Sequence, residues 1–483
     1  MSPIRALCSI GILAFVAVDA DAQIATTECR LTAAWLPAVS AQCSTLTVLE
    51  DSSAPAGAAQ IELFIARVPS LNAAPREDPI VIIAGGPGQA ATDFYPRVRA
   101  AFEPIRRERD IILVDQRGTG QSAPLQCPQV SAATVELAEP ATLPALMEAC
   151  LAELDGDPRL YTTSIAVSDL EHVREALGIE QWNLYGVSYG TRVAQHYLRR
   201  YPQRTRALIL DGVAPSETPL GPDVAAQSQR VLDLILARCA TESDCADRYP
   251  AITTQLDSLL ASLATGPVTV VLADPRSAMP QTRQLSLAHV AAVLRLLSYS
   301  PQTAALLPLL IDAAASGNLA PLAAQAQMIT SELESALSLP MHNAVVCTED
   351  APFFAATAPA EIETTYLGTT LIDALMAVCE VWPGGVLDAD LREPLRSDHP
   401  ALLLSGAADP ITPADYAEQV LAGLSNARHL VGPGQGHGLA VVGCVPRLMR
   451  DFLDTLEPDS LDASCLERAQ ASPFFLDFNG PAP

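Results

Sequence analysis

Along this chain, short apolar runs bounded by Gly, Pro or Asp alternate with longer stretches whose apolar residues recur at helical spacing. The runs predict strands at residues 61–68, 80–84, 111–114, 182–185, 207–210, 401–404 and 428–431. Several are apolar throughout, as Ile80-Val81-Ile82-Ile83 is, which suits strands covered on both faces. Strands alternating with helices imply a mainly parallel sheet flanked by helices, an α/β fold. Between Pro215 and Arg396 the pattern changes. Residues 224–238, 252–263, 287–297 and 303–315 read as Ala/Leu-rich helices, and only 268–272 reads as a strand. Gly266 and Gly317 are placed to end two of these helices. The expected organisation is a core in residues 23–215 and 397–483, a large, mainly helical cap insertion in 216–396, and a loose tail after Phe475. A chain of 483 residues is also longer than one ordinary core requires.

The first residues read as a removable leader. Arg5 supplies a positive start, residues 6–18 are apolar but too short to span a bilayer, and Ala20-Asp21-Ala22 offers a small-residue cleavage site before Gln23. A signal peptide over 1–22 implies a secreted or periplasmic product. Cys8 is not in a lipoprotein-type motif and no other segment is long and apolar enough to span a membrane, so no anchor is expected. Of 11 cysteines, Cys8 leaves with the leader. The spacing of the rest suggests local pairs: Cys29 with Cys43, Cys127 with Cys150, Cys239 with Cys245, Cys347 with Cys379, and Cys444 with Cys465. Ten cysteines admit many other connectivities. No pair has C-x2-C spacing and no histidines cluster beside them, which argues for disulfides in an oxidising compartment and against zinc.

Charge narrows the chemistry further. The 55 acidic and 29 basic residues give a formal charge of −26, and every basic residue is arginine. Without lysine there is no Schiff base and no phosphate loop of the G-K-[ST] kind. The acidic balance argues against nucleic acid or an anionic membrane as partner.

The most informative segment is Gly186-Val187-Ser188-Tyr189-Gly190, which follows a predicted strand and precedes a helical pattern. Such a turn holds the serine in a strained conformation, and the flanking glycines remove side chains that would clash. Ser188 is the expected nucleophile, and it needs a base. Of seven histidines, His437 lies in the glycine-rich loop Gly434-Gln435-Gly436-His437-Gly438 after the last predicted strand. His429 alternates with apolar residues inside that strand, His172 and His196 fall on helices, and His399 precedes a strand. The expected acid is Asp409, beyond the strand at 401–404, because sites gather at strand ends in open α/β sheets. Asp211, closing the strand at 207–210, is its rival. The order Ser188, Asp409, His437 agrees with Asp409. Charge developing on a substrate oxygen calls for N–H donors already in place. Tyr189, next to the nucleophile, and Gly86 in Gly85-Gly86-Pro87-Gly88 are the expected oxyanion-hole residues.

Ala84-Gly85-Gly86-Pro87-Gly88, Asp115-Gln116-Arg117-Gly118-Thr119-Gly120-Gln121-Ser122 and the serine pentapeptide together resemble the proline iminopeptidase and tripeptidyl aminopeptidase group of α/β hydrolases. The similarity runs over most of the chain after the leader. Relatives often carry His where this chain has Ala84, which favours the secreted tripeptidyl-type branch. The resemblance implies an α/β-hydrolase fold and a serine exopeptidase acting on peptides with a free N-terminus. It also implies a structural, ion-paired turn at Asp115 and Arg117. An aminopeptidase must hold an ammonium, and an unpaired cation in a partly dry pocket is costly. The candidates are Glu349, Asp350 and Glu380, brought near one another if Cys347 and Cys379 are joined. No metal or organic cofactor is implied. The same triad would serve a carboxylesterase acting on small esters; a non-catalytic binding protein of this fold is the remaining alternative, which an intact triad argues against.

Overall fold

The computed structural model describes residues 24–55, 57–128, 130–274, 277–354 and 360–481. The expected leader at 1–22 lies outside the described residues. Among the described residues eleven strands run in chain order: β1 (Thr27–Leu31), β2 (Val39–Leu49), β3 (Gln60–Val68), β4 (Ile80–Ile83), β5 (Ile111–Val114), β6 (Trp182–Val187), β7 (Thr205–Asp211), β8 (Val268–Ala273), β9 (Pro280–Leu285), β10 (Ala401–Gly406) and β11 (Ala427–Gly432). Nine form one sheet in the order β1-β2-β3-β5-β4-β6-β7-β10-β11. From β5 through β11 every neighbouring pair is parallel, whereas β1, β2 and β3 join antiparallel at one end.

The apolar strands are buried on both faces because alternate side chains point to opposite sides of the sheet. Ile80, Ile82, Ile111 and Leu113 pack toward the helices Ala91–Arg106 and Val445–Thr455. Val81, Ile83, Ile112 and Val114 face the helices Thr163–Ala176 and Tyr189–Arg200 instead. The strand edges fall within a few residues of those expected. The outer strands β1 and β2 were not anticipated; the Cys29–Cys43 disulfide links them.

The chain between β7 and β10 builds mostly helices around an apolar cluster of its own, including Val231, Leu256, Val290, Leu294, Leu310 and Leu322. Helix Leu143–Glu153, from between β5 and β6, packs into the same region through Leu143 and Met147 against Cys347 and Val378. Here the expected picture needs correction in detail. The strand at 268–272 is not alone: β8 pairs antiparallel with β9, whose sequence PQTRQL is polar because most of it faces solvent. The expected helix at 303–315 is two, Pro301–Ala304 and Leu307–Ala315, since Pro308 lacks the N–H that a continuous helix would need there. Just before the expected tail, Phe474 is buried in the insertion's core and Tyr249 Oη donates to Phe475 O; within the tail, Leu476 O accepts from Arg248 Nε at 3.2 Å and Leu476 N–H donates to Gly480 O at 3.0 Å.

All five expected disulfides are present. No helix among the described residues is long and apolar enough to cross a membrane.

Candidate active site

The turns at the carboxyl ends of β4, β6, β7, β10 and β11 converge on one cavity of about 540 Å³. Ser188 ends β6 with φ 56° and ψ −127°, a left-handed conformation that is strained for a residue with a Cβ. The surroundings force it. A Cβ on Gly186 would lie 2.3 Å from Gly190 O, and one on Gly190 would lie 2.3 Å from Ile83 O. Ser188 N–H donates to Asp211 O at 2.8 Å, and Ser188 O accepts from Thr191 N at 2.9 Å. Helix Tyr189–Arg200 begins at the next residue, so the Tyr189 N–H has no carbonyl within the helix to bond. Gly85 is packed directly on the serine: a Cβ there would sit 3.0 Å from Ser188 Cβ and 3.6 Å from Oγ. Gly86 follows at φ 105° and lines the cavity.

His437 and Asp409 meet across the loops after β11 and β10. His437 Nδ1 lies 2.8 Å from Asp409 Oδ2, with Thr412 Oγ1 3.1 Å from the same nitrogen. Asp409 is fully buried and accepts from Ile411 N and Thr412 N at 2.9 Å and from Thr412 Oγ1 at 2.8 Å. Burial alone would raise its pKa, but the imidazole and these donors outweigh burial and hold the carboxyl below the usual range. Burial likewise pushes His437 down, and the Asp409 carboxylate overcomes it, leaving the imidazole above its ordinary value. An imidazole so held has its far nitrogen free to take a proton from a hydroxyl.

Asp211 has other duties. It accepts from Tyr185 Oη at 2.8 Å, Leu439 N at 2.7 Å and Ala440 N at 2.9 Å, fixing the chain just beyond His437. His429 bonds Glu418 Oε1 at 2.6 Å and Ser405 Oγ at 3.0 Å within the sheet edge, as a strand residue would.

The acids expected to hold an ammonium lie elsewhere, and that expectation is corrected here. Glu349 and Asp350 are fully buried and do not line the cavity, and Glu380 is exposed on helix Thr370–Val381. Glu349 accepts from Thr163 N at 2.7 Å and Thr163 Oγ1 at 2.8 Å, and Thr163 Oγ1 bonds Tyr189 Oη at 2.6 Å. Asp350 Oδ1 pairs with Arg192 at 2.9 Å and accepts from Leu220 N at 2.8 Å. These carboxylates tie the insertion to the helix that follows Ser188. The turn at Asp115 and Arg117 is also rearranged from expectation: Arg117 pairs with Asp169 at 2.6 Å, while Asp115 accepts from Thr92 and Gln121.

Other contacts escaped the sequence reading. Arg230, on helix Val224–Thr241, donates to Asp409 O at 2.9 Å. Tyr299 O accepts from His437 N at 2.7 Å. Asp223 lines the cavity and accepts from Tyr416 Oη at 2.6 Å. Otherwise the walls are largely aliphatic, with Val135, Leu333, Leu337, Leu371, Leu375 and Val378 among them. Nothing in the local sequence marks these residues, because long-range packing brings them in.

The sheet order, the strained serine after β6 and the helix behind it define the α/β-hydrolase fold, and residues 78–254 match the family model described as alpha/beta hydrolase fold. Residues 364–465 match a second model, described as TAP-like protein. Among curated relatives, YuaR of Escherichia coli K12, named as a hydrolase, is 32% identical over 206 residues, 40% of this chain and 41% of that one. A proline iminopeptidase of Neisseria meningitidis is 31% identical over 144 residues, 29% of this chain and 35% of that one. A tripeptidyl aminopeptidase of Streptomyces lividans is 29% identical over 191 residues, 36% of this chain and 35% of that one. The matched stretch thus spans less than half the length of each of these relatives. The chain has the α/β-hydrolase fold and is similar over part of its length to proline iminopeptidases.

Proposed function

We propose that the protein is a serine exopeptidase that releases single residues or short peptides from substrates with a free N-terminus. The observation that carries this reading is the 2.8 Å contact between His437 Nδ1 and Asp409 Oδ2 at a cavity that a strained Ser188 also lines. In this reading, Ser188 Oγ attacks the carbonyl carbon while His437 takes its proton. Asp409 orients the imidazole and stabilises the imidazolium that forms. The N–H groups of Gly86 and Tyr189 receive the oxyanion. The protonated His437 then passes its proton to the leaving amine. Water, deprotonated in turn by His437, cleaves the acyl-enzyme and restores Ser188. No metal or organic cofactor takes part. Residues 216–396, with the segment around helix Leu143–Glu153, act as the cap that shapes the acyl side of the cavity. The leader at 1–22 and the disulfides fit export to a secreted or periplasmic site.

The aliphatic lining favours a second reading, a carboxylesterase, because an acyl group without a cation suits such walls better than an ammonium does. Peptide p-nitroanilides with free and acetylated amines, compared with short-chain p-nitrophenyl esters, separate the two. A strong preference for the free amine supports the exopeptidase; equal rates, or esters outpacing every amide, establish the esterase.

A further inference from the structure

We infer that Tyr299 is a positioning residue for His437, reaching the base from the insertion rather than from the sheet. The inference rests on the reading of His437 as general base.

His437 sits in a loop that supplies little stiffness of its own. Gly434 and Gly438 flank it at φ 64° and 86°, in a region that favours glycine. Asp409 and Thr412 engage only Nδ1, which pins one edge of the ring but leaves the imidazole free to rock about that contact. What limits the rocking comes from outside the loop. Tyr299 O takes the His437 N–H at 2.7 Å, and a Cβ at the preceding Gly436 would lie only 2.2 Å from the same carbonyl oxygen. The Tyr299 ring meets the imidazole at a centroid distance of 5.3 Å and an interplanar angle of 74°, an edge-to-face arrangement that the opposed quadrupoles of aromatic rings favour. The Gly212 backbone also borders the ring, since a Cβ there would stand 3.1 Å from His437 Cε1. Nδ1 is thus held by carboxylate and hydroxyl, and the plane of the ring by Tyr299 and the Gly212 backbone.

Tyr299 is itself rigidly presented. It follows helix Leu287–Leu297, which opens with a capping box between Ser286 and His289 and buries Val290, Val293, Leu294 and Leu297 in the insertion's core. Ser298 Oγ donates to Leu294 O, closing the turn that delivers Tyr299 to the loop. The backbone part of the contact survives any substitution of the side chain, so the ring can be tested alone.

The test uses the full chain as Y299F, Y299L and Y299A beside wild type. It measures the rate of fluorophosphonate labelling at Ser188, kcat and KM for a p-nitrophenyl ester, and thermal unfolding. If the ring sets the imidazole plane, Y299F labels within about twofold of wild type. Y299L and Y299A then label about tenfold or more slowly, with kcat reduced and KM little changed, since small misplacements of a catalytic group act on kcat. Y299L keeps an apolar side chain but no ring, so its slow labelling at an unchanged unfolding midpoint separates ring orientation from loss of the fold. Labelling of Y299L at the wild-type rate, a loss confined to KM, or a Y299F as slow as Y299L would each overturn the assignment. Failure of wild type to label at Ser188 would overturn the hydrolase reading and this inference together.

Discussion

Two regions bury carboxylates completely and treat them in opposite ways. At the sheet edge Asp409 accepts from two backbone N–H groups and the Thr412 hydroxyl and has the His437 imidazole to itself, and its pKa lies below the usual carboxylate value. Where the insertion meets the core, Glu349 and Asp350 share Arg192, which lies 2.9 Å from Asp350 and 4.0 Å from Glu349. Burial, only partly offset by Arg192 and Thr163, pushes Glu349 up to about 7. Depth of burial is the same in both places. What differs is whether a carboxylate has enough donors, and a cation it need not share, to replace the water it has lost.

Exchanging charge for amide at each place should sharpen that contrast. Asp409→Asn should leave the fold intact but offer His437 the wrong hydrogen-bonding partner, lowering kcat about 10⁴-fold; a rate within tenfold of wild type would remove Asp409 from the triad. Asp211→Asn should do the reverse. It places an amide against N–H donors of Leu439 and Ala440, so urea titration should show a loss of roughly 1–3 kcal/mol with a smaller effect on rate. If the activity loss exceeds that of Asp409→Asn in a folded protein, the roles of the two acids are exchanged.

Glu349 makes a prediction about pH. Its folded pKa of about 7 exceeds the ordinary 4.5, so the native state binds more protons than the unfolded chain between those values. The stabilisation is therefore fully present below about pH 4.5 and is lost as pH rises through 7, by on the order of 3 kcal/mol. Glu349→Gln should flatten that part of the stability curve, because an amide keeps an acceptor for Thr163 and carries no proton to lose. An unchanged slope would show that Glu349 is ionised throughout.

The smallest effect is on the acid limb of activity. As the proposed base, His437 would have to be neutral to accept a proton, and its pKa lies above the ordinary 6.5, so kcat/KM should fall on acidification with a midpoint above that value. A midpoint at or below 6.5 would mean that Asp409 does not outweigh burial in the working enzyme.

What was legible in the sequence follows the same division. Strands such as Ile80–Ile83 and Ile111–Val114 were plain because burial on both faces leaves no polar residue in them. Ser188 was marked by glycines that the close packing at Ile83 O and Gly190 O requires, a local constraint that writes itself into a pentapeptide. Glu349 and Asp350 were misplaced because adjacency to Cys347 locates them in the fold but says nothing of which way they face; Thr163 and Arg192, far off in sequence, decide that. Arg230 and Tyr299 carry no local mark at all, and β9 is disguised by its solvent-facing polarity.

The placement of the insertion has a consequence in time. β7 and β10 lie side by side in the sheet, yet one ends at Asp211 and the other starts only at Ala401. Closing so distant a pair is slow unless the intervening chain first contracts, which its separate apolar cluster allows it to do. A chain leaving the ribosome therefore exposes the turn at Ser188 well before the segments that carry Asp409 and His437 have followed. If Ser188, Asp409 and His437 form the proposed triad, the nascent protein is silent by topology until the last strands join.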